Sequence, residues 1–129
     1  MDVKSPESLN ELTSSIIAAA IEVHRRLGAG LLESAYEACL MHELRKRKLQ
    51  ALCQVGLPVI YDGVKIEVGY RIDILVEDEV IIELKAVERV LPIHEAQLIL
   101  YLKLSGKKVG LLINFNVSRL KDGIIRRVN

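Results

Sequence analysis

The stretch Val80-Ile81-Ile82-Glu83-Leu84-Lys85-Ala86-Val87 is apolar throughout except for two opposite charges. A short apolar run of this kind, rich in β-branched residues and preceded by a polar turn, reads as a core strand. Side chains alternate along a strand, so Glu83 and Lys85 share one face while Ile82, Leu84 and Ala86 share the other. A buried strand carries charges only where they are paired, bound to a metal or solvated in a cleft. The alternative for this segment alone is a Glu-Lys pair on the solvent face of an edge strand.

The strand before it narrows the choice. In Tyr70-Arg71-Ile72-Asp73-Ile74-Leu75-Val76 a single carboxylate sits between two isoleucines, with Arg71 and Leu75 on its face. The acidic turn Glu77-Asp78-Glu79 makes the two strands antiparallel. If Val76 opposes Val80 across three residues, Asp73 lies opposite Glu83; a loop of Asp78-Glu79 alone would turn Asp73 away. The expectation is therefore an odd loop or a bulge. Two opposed carboxylates repel, a cost that a divalent cation between them reverses. Hard oxygen ligands with positions left for water suit Mg²⁺ or Mn²⁺ rather than zinc.

Around these strands the chain divides into a helical first third and a β-rich remainder. Ser8 and Glu11 have capping-box spacing, and Leu12, Ile16, Ala19, Ala20, Val23 and Leu27 keep a helical period until Gly28-Ala29-Gly30. A second helix is expected from Leu32 to Leu49, ending in Arg45-Lys46-Arg47-Lys48. That run is either favourable charge at a helix C-terminus or a nucleic-acid contact. Strands are expected at Leu52–Tyr61, Val64–Val68, Tyr70–Val76 and Val80–Val87, with a hairpin turn at Asp62-Gly63. A third helix, Ile93–Leu104, crosses over to a strand at Lys108–Asn114, and Gly123–Val128 completes the sheet. The crossover implies parallel pairing. The expected fold is α/β (α+β), a mixed central sheet flanked by helices, in a single domain of 129 residues.

Composition sets the outer limits. Eighteen Lys and Arg against seventeen Asp and Glu leave a net charge of +1, so contact with a polyanion must be local rather than by bulk charge. Five aromatic residues give little provision for stacking successive bases. No run is apolar enough to span a bilayer and the opening MDVKSPESLNEL has no leader pattern, so the expected location is the cytoplasm, with no membrane partner. Cys39 and Cys53 are then free thiols.

The order Asp73, then Glu83-Leu84-Lys85, in adjoining strands flanked by helices resembles the PD-(D/E)xK phosphodiesterases, which have the restriction-endonuclease-like fold. Gly30-Leu31-Leu32-Glu33-Ser34-Ala35-Tyr36 matches the G-x-x-E-x-x-Y signature of one small family in that superfamily. Gln97-Leu98-Ile99-Leu100-Tyr101 matches the Q-x-x-x-Y element of RecB-type exonuclease domains. The resemblance runs from about Ile16 to the C-terminus, including Gly110-Leu111-Leu112-Ile113-Asn114-Phe115-Asn116. It implies a nuclease using Mg²⁺ or Mn²⁺ on nucleic acid, DNA ahead of RNA. Asp73 and Glu83 become metal ligands, with the Leu84 carbonyl as a third and Glu33 completing the shell directly or through water. Lys85 orients or activates the attacking water, and Gln97 and Tyr101, one helical turn apart, position the phosphate or Lys85. Ile72 stands where the motif often has proline, which leaves the acid in place.

Each residue also has a simpler reading. Glu33 is favourable in any first helical turn, and Gln97 and Tyr101 fit a helix boundary. His94 is a substrate-side group or a polar helix terminus, and neither His94 nor His42 has the spacing of a metal motif. The basic pairs Arg25-Arg26, Lys107-Lys108 and Arg126-Arg127 suit phosphates or plain surface. A competing function is a nuclease-fold binding or assembly module without turnover. The chain has no basic arm or added domain, so grip on a substrate calls for a homo-oligomer such as a homodimer, or for a partner protein.

Overall fold

A computed structural model describes residues 5–129. Residues 1–4, the start of the stretch read as having no leader, lie outside the described residues. Helix α1 spans Pro6–Leu27 and is capped by Ser5, whose Oγ accepts the Ser8 N–H at 3.1 Å. The cap thus falls three residues before the expected Ser8, because Pro6 has no N–H to satisfy and its fixed φ favours a first helical position. Leu9, Leu12, Ile16, Ala19, Ala20 and Val23 form its buried stripe. Helix α2, Glu33–Lys46, is shorter at both ends than the pattern suggested. Its C-terminus turns at Lys48, whose φ is 64°.

The sheet has five strands in chain order: β1 Ala51–Tyr61, β2 Val64–Val76, β3 Val80–Lys85, β4 Val109–Asn114 and β5 Ile124–Val128. The first three form an antiparallel meander, β3 and β4 pair in parallel across helix α3 (Pro92–Ser105), and β5 returns antiparallel. This is the mixed α/β sheet expected from the crossover. Where two runs were expected around Gly69, β2 is one strand. It absorbs the break as a register shift opposite Leu57 to Val59, and Gly69 adopts a φ of 82°.

The sheet buries a core on each side. Helices α1 and α2 cover Ile74, Val76, Val80, Ile82, Leu84, Leu111 and Ile113, while α3 covers Leu57, Ile72, Leu75, Ile81 and Leu112. Among the described residues no helix is long and apolar enough to cross a membrane.

Strand β3 stops at Lys85, two residues short of the expected Val87, because a side chain takes over the pairing. Asn114 is buried; its Oδ1 accepts the Val87 N–H at 3.1 Å and its Nδ2 donates to the Val87 carbonyl at 2.9 Å. Oδ1 also accepts the Asn116 N–H at 3.2 Å. Gly123 packs so closely on this corner that a Cβ there would overlap the Asn114 carbonyl oxygen. Gly123→Ala is expected to destabilise the fold by about 1–3 kcal/mol, read from urea unfolding, because backbone must move to admit the methyl.

Candidate active site

The β2–β3 ladder pairs Val76 with Val80 and Ile74 with Ile82 across the three-residue turn, the odd loop that the parity argument required. One step further, at Asp73 and Glu83, carboxylates replace the ladder. The Asp73 N–H donates to Glu83 Oε2 at 2.9 Å, and the Leu84 N–H donates to Asp73 Oδ2 at 2.8 Å. Each acid thus satisfies a backbone group that the other strand no longer reaches.

Asp73 departs from the expected alternation. Ile72 belongs to the α3-side core and Ile74 to the opposite one, although they are two residues apart. The alternation therefore slips by one at Asp73, which does not simply share a face with Leu75. It lines a pocket of about 220 Å³ with Glu33, Ser34, Glu37, Gln54 and Leu84. Gln54 takes a left-handed φ of 54°, uncommon for a residue with a Cβ. Its Nε2 donates to Glu37 Oε1 at 2.8 Å and lies 3.5 Å from Asp73 Oδ1. Glu37 and Gln54 were not singled out in the sequence. Glu37, on α2 one turn past Glu33, was within reach of helical spacing, whereas nothing in the sequence marks Gln54.

Burial governs the charges. Glu83 is 5% exposed, and its carboxyl is pushed up to about 8 by burial and then by the Asp73 charge, against the Asp73 N–H and Lys85. Asp73 is also raised, chiefly by burial, with Glu37 and Glu33 adding to the effect and the Leu84 N–H and Lys85 opposing it. Both acids are thus held nearer to neutral than carboxylates in water. Their donor set fits a hard divalent cation, since a positive charge between them offsets both causes of the rise. Among the described residues, however, no three acidic, histidine or cysteine side chains converge closely enough to enclose an ion.

The remaining residues fall on two sides of this pair. On α3, Gln97 Nε2 donates to the Tyr101 hydroxyl at 3.1 Å. The Tyr101 hydroxyl is raised by burial and by the Glu83 charge, against the Gln97 amide and the Arg71 backbone. On α2, Glu33 Oε2 accepts the Ala86 N–H at 3.4 Å, just beyond Lys85. Tyr36, one turn further along α2, is structural: its hydroxyl donates to the Gly28 carbonyl at 2.6 Å and accepts the Leu31 N–H at 3.1 Å. Its ring stacks on Phe115 at 4.4 Å, and the Phe115 N–H donates to the Lys85 carbonyl at 2.9 Å.

His94 ends the first turn of α3, where its Nδ1 accepts the Leu91 N–H at 3.0 Å; His42 is exposed on α2. Lys46 and Arg47 pair with the buried Glu43 at 3.2 and 4.0 Å, so half of the basic run closes its own helix. The basic pairs are also partly engaged: Arg25 and Arg26 with Glu22, Lys107 with Asp78, and Arg127 with Glu95.

A family model described as the PD-(D/E)XK nuclease superfamily matches residues 10–128. The mixed sheet and its three helices agree with the restriction-endonuclease-like fold. No curated protein and no solved structure matches the chain.

The raised Glu83 carboxyl has a measurable sign. Folding favours its neutral form, so the associated stability is complete below 4.5 and is lost as pH rises through about 8. Thermal melts in a chelator should therefore show Tm falling across that window. Glu83→Gln should flatten most of the fall; an unchanged slope would mean that Glu83 is not the group responsible.

Proposed function

The chain belongs to the PD-(D/E)XK nuclease superfamily, and on that premise we propose that it is a metal-dependent nuclease, one domain hydrolysing phosphodiester bonds of nucleic acid. The Asp73–Glu83 clamp beside Lys85 carries this reading. Two carboxylates on adjoining strands are drawn from water and charged at a cost that a cation relieves. DNA is placed ahead of RNA on the resemblance of Gln97 and Tyr101 to the Q-x-x-x-Y element.

Asp73, Glu83 and the Leu84 carbonyl are the proposed ligands, with Glu33 completing the set from α2. Bound Mg²⁺ or Mn²⁺ supplies a nucleophilic water and stabilises charge on the phosphate. Lys85 shares the Glu83 face of β3, as Ile81 in the α3-side core and Leu84 in the opposite one require. From there its ammonium is proposed to orient the water and offset charge on the scissile phosphate. The Gln97 amide already supplies a donor to the Tyr101 oxygen, which leaves the Tyr101 proton available to a phosphate oxygen. A net charge of +1 provides little long-range attraction, so grip falls to local contacts or a second chain.

Cleavage of labelled single- and double-stranded DNA and RNA with Mg²⁺ or Mn²⁺ tests the reading. Asp73→Asn, which keeps an oxygen acceptor for the Leu84 N–H, and Lys85→Ala should each lower the rate by ~10²-fold or more while circular dichroism stays native. Equal rates in wild type and variants would identify a contaminant. Calorimetric Mn²⁺ binding without cleavage of any substrate would instead support a binding module that keeps the fold.

A further inference from the structure

Beyond Leu57 and Tyr70 the hairpin of β1 and β2 continues past the body of the sheet as a two-stranded arm. Cross-strand pairing joins Val59 to Ile66 and Tyr61 to Val64. By strand alternation these four lie on the side where α3 covers Val55 and Leu57, but here Tyr61 is 68%, Val64 58% and Ile66 40% exposed. The reverse face carries Lys65 and Glu67, paired with each other at 3.4 Å, and one apolar residue, Ile60, opposite Lys65. This is the pattern of a half-buried sheet whose cover is missing, and a two-stranded ribbon is marginal without one.

The same molecule exposes the matching deficit. Helix α3 buries Leu98, Tyr101 and Leu102 but turns Ile93, Ala96 and Leu100 outward, with Ile93 67% exposed. This flank meets the base of the arm at Tyr70, around a pocket of about 280 Å³. A sheet face without a helix and a helix flank without a sheet are the two halves of one layer contact. On one chain both remain exposed.

We propose that two copies of the chain pair about a two-fold axis, each arm laying its apolar face on the outward flank of the other copy's α3. Charge favours this occupant, because the arm face offers no cation to phosphate and no group to an acidic or basic peptide. Size favours it too: the exposed apolar area of arm and flank is on the order of 600 Å² per copy, approaching the ~800 Å² of a standard interface. A reciprocal contact uses both deficits twice.

Sedimentation and light scattering on the full chain, from micromolar to hundreds of micromolar, should show a dimer. The arm variant Val64→Lys/Ile66→Lys and the flank variant Ile93→Glu/Leu100→Glu should each weaken association by ~10²-fold or more with native circular dichroism, since all four positions are exposed. Mixing the two variants should restore a dimer, in which one contact is wild type and the other joins lysine to glutamate. A monomeric wild type, variants that remain dimeric, or a mixture that stays monomeric would each overturn the proposal. Loss of nucleic-acid binding in the arm variant of a monomeric wild type would do so as well, assigning the face to that ligand.

Discussion

Strands β2 and β3 are held together past Ile74 and Ile82 by two acids rather than by a backbone ladder. Each carboxylate accepts the N–H that parting strands leave without a carbonyl partner. The arrangement works only with both acids present, because deleting either leaves a partly buried N–H unsatisfied. It also concentrates negative charge where water is scarce, which is why Glu83 holds its proton so far above the usual carboxylate range. The groups proposed to hold a cation are therefore also the groups that set strand spacing.

Much of this was legible in the sequence because it depends on short-range counting. Strand parity plus a three-residue turn is enough to oppose Asp73 and Glu83, and a crossover helix is enough to make β3 and β4 parallel. The slip at Asp73 was not legible: alternation is a property of regular strands, and side-chain hydrogen bonds can break it without a change in composition. Gln54 escaped for a related reason, since its left-handed backbone has no glycine or asparagine to announce it. The α1 cap was misplaced because Ser8 has the better-known spacing, whereas Ser5 gains from the proline after it. Asn114 sits in a run that looks like any strand end, and only the fold brings Val87 within reach of its amide.

Charge was legible as a total but not as a distribution. The near balance of acids and bases conceals that several bases are engaged. Glu22, Glu43, Asp78 and Glu95 each hold one or two of them, mostly at the surface, where such pairs add little to stability but redirect a side chain. Asp73 and Glu83, by contrast, have no ion pair with Lys or Arg in the described residues. The sum of +1 thus averages a partly paired exterior and an acidic pair, Asp73 and Glu83, without a cationic partner among the described residues.

The stack of Tyr36 on Phe115 links two segments far apart in sequence. Tyr36 fixes the loop that delivers Glu33 to the start of α2, and the backbone of Phe115 holds the end of β3 at Lys85. Both sides of the site are therefore measured from one aromatic plane, which joins α2 to the end of β3. A change of ring size at position 36 becomes a displacement of Glu33 relative to Lys85 unless position 115 changes with it. The two positions should drift through evolution as a matched pair.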